Sequence, residues 1–213
     1  MALCDAWWAC LEEAWEAYRA GSLPIGAAYV DGAGSVALRG RNRVGEKGAP
    51  PPLIAGSRLA HAEMNVLAQV PPEAHARMAQ GELFTSLEPC PMCFGAALMT
   101  GVRRIRYGAS DRWAGAADLQ TATPYVESKR MAVCGPEPTV QAVSLVLLTD
   151  YWLGSRSPRK AELVAAFGAA DEQATALGRE WFSAGRLSEM ARAGRPIADV
   201  AREVWARVGV RSP

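Results

Sequence analysis

The chain has little that would draw it to a charged or lipid partner. Its 23 basic and 22 acidic side chains leave a formal charge of +1, so no long-range field steers it toward nucleic acid or an anionic membrane. No apolar run reaches the roughly eighteen residues of a membrane span. Histidine is scarce: only His61 and His75 are present, which excludes any site built on three imidazoles. The five cysteines are too few and odd in number for a disulfide framework. Met1-Ala2-Leu3-Cys4-Asp5 lacks the basic opening of a secretory signal, so a cytoplasmic protein is expected. There is no internal repeat and no low-complexity segment. With 213 residues, half of them hydrophobic, the chain can bury one enzyme-sized core. Residues 1–153 are expected to form that domain, with 154–213 as a helical C-terminal extension packing on the core or on a partner subunit.

What is present is concentrated in two short stretches. Pro89-Cys90-Pro91-Met92-Cys93 offers two thiolates three residues apart, and His61-Ala62-Glu63 offers a neutral nitrogen. Three protein ligands leave the fourth tetrahedral position open, the pattern of a catalytic zinc and not of a closed structural one. A lone Cys-x-x-Cys could be redox-active, but here each motif opens a predicted helix. The other histidine, His75, lies in a polar Glu-Ala-His-Ala-Arg segment and reads as a surface residue. On a helical wheel Glu63 falls amid Leu59, Ala60, Val66, Leu67 and Val70. A carboxylate centred on an apolar face is costly without a partner or a task.

The rest of the chain supplies a frame. Trp7, Leu11, Trp15 and Tyr18 mark an amphipathic helix over residues 3–20. Residues 25–30 and 35–43 read as a hairpin across Asp31-Gly32-Ala33-Gly34. Alternation puts Arg39, Arg41 and Arg43 on one face and Asn42 on the other. Residues 44–58, with three consecutive prolines, form a long loop of the kind often used as a lid. Helices are predicted over 59–70 and 90–99, and strands over 82–86, 103–107 and 140–148. About thirty residues separate the last two strands, enough for a crossover between parallel neighbours. From residue 155 the pattern is helical. The stretch 191–202 has the outline of a helix-turn-helix, yet helices packed on the core are the better reading.

Taken together, Pro24-Ile25-Gly26-Ala27-Ala28, Asn42, His61-Ala62-Glu63, Leu87-Glu88-Pro89-Cys90-Pro91-Met92-Cys93-Phe94-Gly95-Ala96 and Tyr107-Gly108 resemble the cytidine deaminase-like superfamily. The resemblance is strongest to its branch of tRNA adenosine deaminases and guanine deaminases, and H-x-E followed by P-C-x-x-C is the zinc deaminase signature. It covers roughly residues 5–148. It implies an α/β fold: a three-layer α/β/α sandwich with a five-stranded mixed sheet in the order 2-1-3-4-5. By position it implies His61, Cys90 and Cys93 as ligands of Zn2+ and Glu63 as the proton shuttle. Asn42 and the backbone amide of Ala62 would meet the substrate. Trp113, which stands where the family usually has small or basic residues, is expected to line the site. The loop over 43–60 is longer than in the tRNA enzymes.

The expected function is hydrolytic deamination of an aminated purine or pyrimidine, as free base or nucleoside, with release of ammonia. The alternatives are a tRNA adenosine deaminase and a non-catalytic binding module on the same fold, the latter disfavoured because every catalytic position is intact. A homodimer is the expected assembly.

Overall fold

A computed structural model describes residues 3–210. The N-terminal amphipathic repeat forms helix α1, Asp5–Arg19, and buries Trp7, Leu11 and Trp15 as its spacing predicts. Strands β1 (Gly26–Val30) and β2 (Val36–Arg41) pair as an antiparallel hairpin. The Asp31 carboxylate closes their turn by accepting from the amides of Ala33 and Ser35. Helix α2 (Ala62–Leu67), a 3₁₀ helix over Pro72–Gln80, strand β3 (Glu82–Leu87), helix α3 (Pro91–Met99) and strand β4 (Arg104–Ala109) follow. A short helix α4 (Pro124–Ser128) then leads to strand β5 (Ala132–Cys134). The sheet order is β2-β1-β3-β4-β5, as the resemblance implied. β1 is antiparallel to both neighbours, while β3, β4 and β5 run parallel.

One predicted strand is a helix. Residues 140–148, read from the sequence as the fifth strand, belong to α5 (Pro138–Gly154). Every residue from Ala142 to Asp150 is buried, so polar positions do not recur at a helical period, and a short apolar run cannot be told from a buried strand by periodicity. The true β5 is three residues at the sheet edge with Ala132 and Cys134 exposed, too short to carry a pattern. Helix α2 is also shorter than predicted: Leu59 lies outside it and is exposed, while Val66, Leu67 and Val70 are buried.

The pairing register decides which side chains share a face. Ala27 pairs with Gly40 on one side and with Thr85 on the other, so all three face the same way. That is the face covered by α2. A Cβ at Gly40 would stand 2.7 Å from the Ala62 carbonyl oxygen, so only glycine lets α2 lie this close to the strand. Arg39 belongs to the opposite face, where its guanidinium pairs with Glu12 of α1.

Helices α6 (Lys160–Ala170), α7 (Glu172–Ala184), α8 (Arg186–Arg192) and α9 (Ile197–Val208) cover α5 and the outer side of α1. Trp205 of α9 packs edge-on against Trp8 with ring centroids 5.8 Å apart, and its indole N–H donates to the Thr139 carbonyl at 2.8 Å. The Trp15 indole donates to the Arg195 carbonyl. Arg186, Arg195, Arg202 and Arg207 each pair with an acidic side chain, so most basic side chains of α8 and α9 are already matched by acids, unlike the free basic face a DNA-reading helix needs. Among the described residues, no helix is long and apolar enough to cross a membrane.

Asp150 of α5 is only 6% exposed and accepts a hydrogen bond from the Tyr18 hydroxyl at 2.8 Å. Burial raises its carboxyl above the ordinary 3.8, with Tyr18 pulling partly the other way. A raised carboxyl favours its protonated form in the fold, so the stability it contributes is complete below about pH 4 and lost as pH rises through the folded value. Asp150→Asn, which keeps the acceptor for Tyr18, is therefore expected to melt above wild type at pH 7. Calorimetry across pH should show that difference closing toward pH 4.

Candidate metal centre and active site

Two helix starts meet at the carboxyl ends of the strands. His61 is the extended residue before α2, and Cys90 is the extended residue before α3, with Pro91 at the first helical position. Proline is well suited there, since its fixed φ matches the helix and its missing N–H would have no partner anyway. Cys93 lies three residues on and returns to the face of Cys90. The His61 Nδ1 atom is 3.6 Å from Cys90 Sγ and 3.5 Å from Cys93 Sγ, and the two sulfurs are 3.6 Å apart. A tetrahedral zinc with Zn–S of about 2.3 Å and Zn–N of about 2.0 Å needs roughly 3.8 Å between sulfurs and 3.5 Å between nitrogen and sulfur. The donor set fits that ion, and among the described residues it is these three that converge as metal-type donors.

The charges are arranged for the same end. Its contact with Cys93, with His61 adding to it, pulls the Cys90 thiol down to about 4. Cys93 is pushed far up by that same contact and by burial. One thiol is thus ready as thiolate, and the proton held on Cys93 must leave when a metal binds.

Glu63, on the first turn of α2, is 3% exposed. Its Oε1 accepts from Thr85 Oγ1 at 3.2 Å and its Oε2 lies 3.4 Å from Cys93 Sγ. Its partners are therefore a hydroxyl and a thiol, not a cation. Burial raises its carboxyl above the ordinary 4.5, outweighing the downward pull of His61. Asn42, wholly buried, follows β2 on the face of α2; its Oδ1 accepts from the Val44 amide, and its Nδ2 has no partner. Ala62 is the first residue of α2 and fully buried, so its N–H is one of the amides a helix start leaves without an intrahelical acceptor.

Trp113 is 48% exposed on a loop tied to the metal motif. Glu88 accepts from the amides of Asp111 and Ala117, and the Ala116 amide donates to the Pro89 carbonyl. A Cβ at Gly115 would stand 2.4 Å from Glu88 Cδ, so a side chain there would break the wrap. Arg159 of the C-terminal extension lies 5.7 Å from the Trp113 ring centroid. Glu88, Thr85 and Asn65 are site-supporting residues that sequence reasoning gave no role. Thr85 is a buried polar residue in a strand that also holds Glu82 and Ser86, and its partner is named only by the sheet register. His75, in the 3₁₀ helix, is not part of the centre.

If the metal ties the two helix starts together, Cys90→Ala should abolish zinc binding and lower the melting temperature, and chelation of wild type should do likewise. Metal content by mass spectrometry and calorimetry of the same samples check this; equal melting of apo and holo protein would contradict it.

Comparison with known proteins agrees with this geometry. The family model for the cytidine and deoxycytidylate deaminase zinc-binding region matches residues 4–109, which hold His61, Glu63, Cys90 and Cys93. The chain is 36% identical over 107 residues to the tRNA-specific adenosine deaminase of Haemophilus influenzae, a match covering 50% of this chain and 57% of that protein. Over 106 residues it is 42% identical to the tRNA(Ile)-lysidine synthase of Thermus thermophilus, covering 50% of this chain and 18% of that protein. The chain thus spans little more than half of the first relative and a small part of the second. The solved structure of NE0047 in complex with 2,6-diaminopurine superposes with a TM-score of 0.51 at 26% identity, covering 71% of this chain and 83% of that one. With this match, the sheet order and the convergent histidine and cysteines, the chain belongs to the cytidine deaminase-like superfamily, with zinc as its cofactor.

Proposed function

We propose that this chain catalyses hydrolytic deamination of an aminated purine or pyrimidine, taken as free base or nucleoside. The observation that carries the reading is Glu63: a wholly buried carboxylate, without a cationic partner, 3.4 Å from a sulfur of the metal-type donor set. A purely structural metal site gives such a group nothing to do. His61, Cys90 and Cys93 would hold the zinc, which when bound lowers the pKa of a water molecule toward roughly 7. Glu63 takes a proton from the attacking water and passes it to the ring nitrogen beside the amino-bearing carbon. It later returns a proton to the departing amine, so that amine and water become carbonyl and ammonia. Such transfer is typically worth about 10² to 10⁴ in rate. Thr85 orients the carboxylate through Oε1, and the raised Glu63 carboxyl suits a group that must both accept and donate. The unpaired Asn42 amide nitrogen is a donor for a substrate ring acceptor, and the Ala62 amide a second. Trp113 offers an indole face to the same heterocycle. Binding of 2,6-diaminopurine by NE0047 supports an aminated purine within this class. The protein would act in the cytoplasm, as a homodimer.

A second reading, tRNA adenosine deamination, draws on the relative of that name. Charge favours the first. Arg39, Arg41 and Arg43 pair with Glu12 and Glu46. Arg104 and Arg106 pair with Glu82 at the start of β3, about 17–20 Å along the strand from its metal end. The two densest basic clusters are thus already matched by acids and do not form a free phosphate-binding patch.

Glu63→Gln matches the shape without the proton, so it should retain zinc near wild-type stoichiometry and lose turnover by more than about a hundredfold. Turnover within tenfold of wild type would refute the shuttle role. To separate the two substrate readings, ammonia release is measured over a panel of bases and nucleosides. A free base or nucleoside should react with kcat/KM varying less than about tenfold between 50 and 200 mM salt, whereas roughly six to ten phosphate contacts would cost 10³ to 10⁵ in affinity. Salt-sensitive inosine formation in a tRNA anticodon stem-loop, with no ammonia from any small substrate, would favour the second reading.

A further inference from the structure

Residues 43–60 join Asn42 to His61, and a loop of this length over a site suggests a lid. The bonding says otherwise. Asn65, two residues after Glu63 on α2, is completely buried. Its Oδ1 accepts from the Ile54 amide at 2.7 Å, and its Nδ2 donates to the Ile54 carbonyl at 3.1 Å and to the Arg41 carbonyl at 3.0 Å. Both amide protons are thus used on backbone: one pair of bonds grips the middle of the loop, and the third grips the strand end beside Asn42. The loop is held elsewhere as well. The Arg43 amide donates to the Ala60 carbonyl, the Gly56 and Glu46 amides donate to the Arg43 carbonyl, and Gly45 donates to the buried Ser22 hydroxyl. The Glu46 carboxylate takes both Arg41 and Arg43.

We propose that Asn65 is a positioning residue that fixes the 43–60 loop and Asn42 as one preformed wall of the substrate pocket. The loop then acts in specificity as a rigid surface and not as a lid. This rests on the substrate role given above to Asn42. α2 carries Glu63 on one side and Asn65 one half-turn on, so a single helix registers the proton shuttle against the binding wall. A buried amide with all its bonds made cannot be replaced without leaving the Ile54 and Arg41 backbone groups unsatisfied. A wall held before substrate arrives also saves the ordering cost of closing a lid.

The test uses the zinc-loaded full chain, with 2,6-diaminopurine as probe for binding and turnover. In Asn65→Leu, similar in size but without the bonds, amides of residues 44–60 should exchange hydrogen about tenfold faster or more while those of β3 keep their protection. Zinc content should be unchanged. KM should rise about tenfold with kcat within about threefold. Asn65→Asp keeps the acceptor for the Ile54 amide, loses both donors, and should show the same pattern more weakly if the leucine variant does not fold. Unchanged loop exchange in a folded variant would overturn the clamp, as would faster exchange spread equally through β3. A fall in kcat at constant KM would overturn the positioning role. Should wild type neither bind nor convert the probe nor any panel member, the substrate reading falls, and the exchange data alone decide for or against the clamp.

Discussion

One ion can be shared only by atoms that lie within a few ångströms of one another, so the donors of this centre must be delivered by elements whose mutual position does not drift. His61 and Cys90 sit at the starts of two helices, and those helices are registered through the sheet. α3 follows directly from β3, which is hydrogen-bonded on both sides, to β1 and to β4. α2 rests on the neighbouring hairpin, brought close by the absent side chain of Gly40. A one-residue slip in the β1–β3 ladder would turn Thr85 to the far face and leave Glu63 without its hydroxyl partner. The chemistry therefore depends on backbone pairing at least as much as on the ligands.

The same pairing sorts the charges. Basic residues of β2 emerge on the α1 side and are matched by acids there or in the adjoining loop. Those of β4 are matched by Glu82 at the far end of the strands. On the α2 face the polar groups are neutral or uncompensated: Asn42, Thr85 and a carboxylate whose protonated form is favoured by burial. A flat, uncharged heterocycle with ring acceptors is the ligand class such a wall complements. On the other side of the sheet, α5 is enclosed between β4 and the C-terminal helices, which makes that extension part of the core's enclosure; Trp205 and Trp15 fasten it through indole hydrogen bonds.

Several features were legible because they are local. The Cys-x-x-Cys spacing, the histidine and glutamate two residues apart, Pro91 at a helix start and the four-residue spacing of Trp7, Leu11 and Trp15 each encode geometry between near neighbours along the chain. The strand order came from the resemblance, not from any periodicity. Residues 140–148 show the limit: an element buried on every side loses the contrast between inner and outer faces, and the sheet edge at Ala132–Cys134 is too brief to have one.

The sequence by itself determined which atoms could bind zinc and which carboxylate stood out of place, since donor chemistry and helical spacing are properties of neighbours along the chain. Only the tertiary structure decided what surrounds them: that Thr85 meets Glu63, that Glu88 holds the Trp113 loop, and that Asn65 ties residues 41 and 54 together. Those bonds join segments 11 to 24 residues apart, and such contacts exist only once the sheet register and the packing of α2 against it have closed the intervening loops.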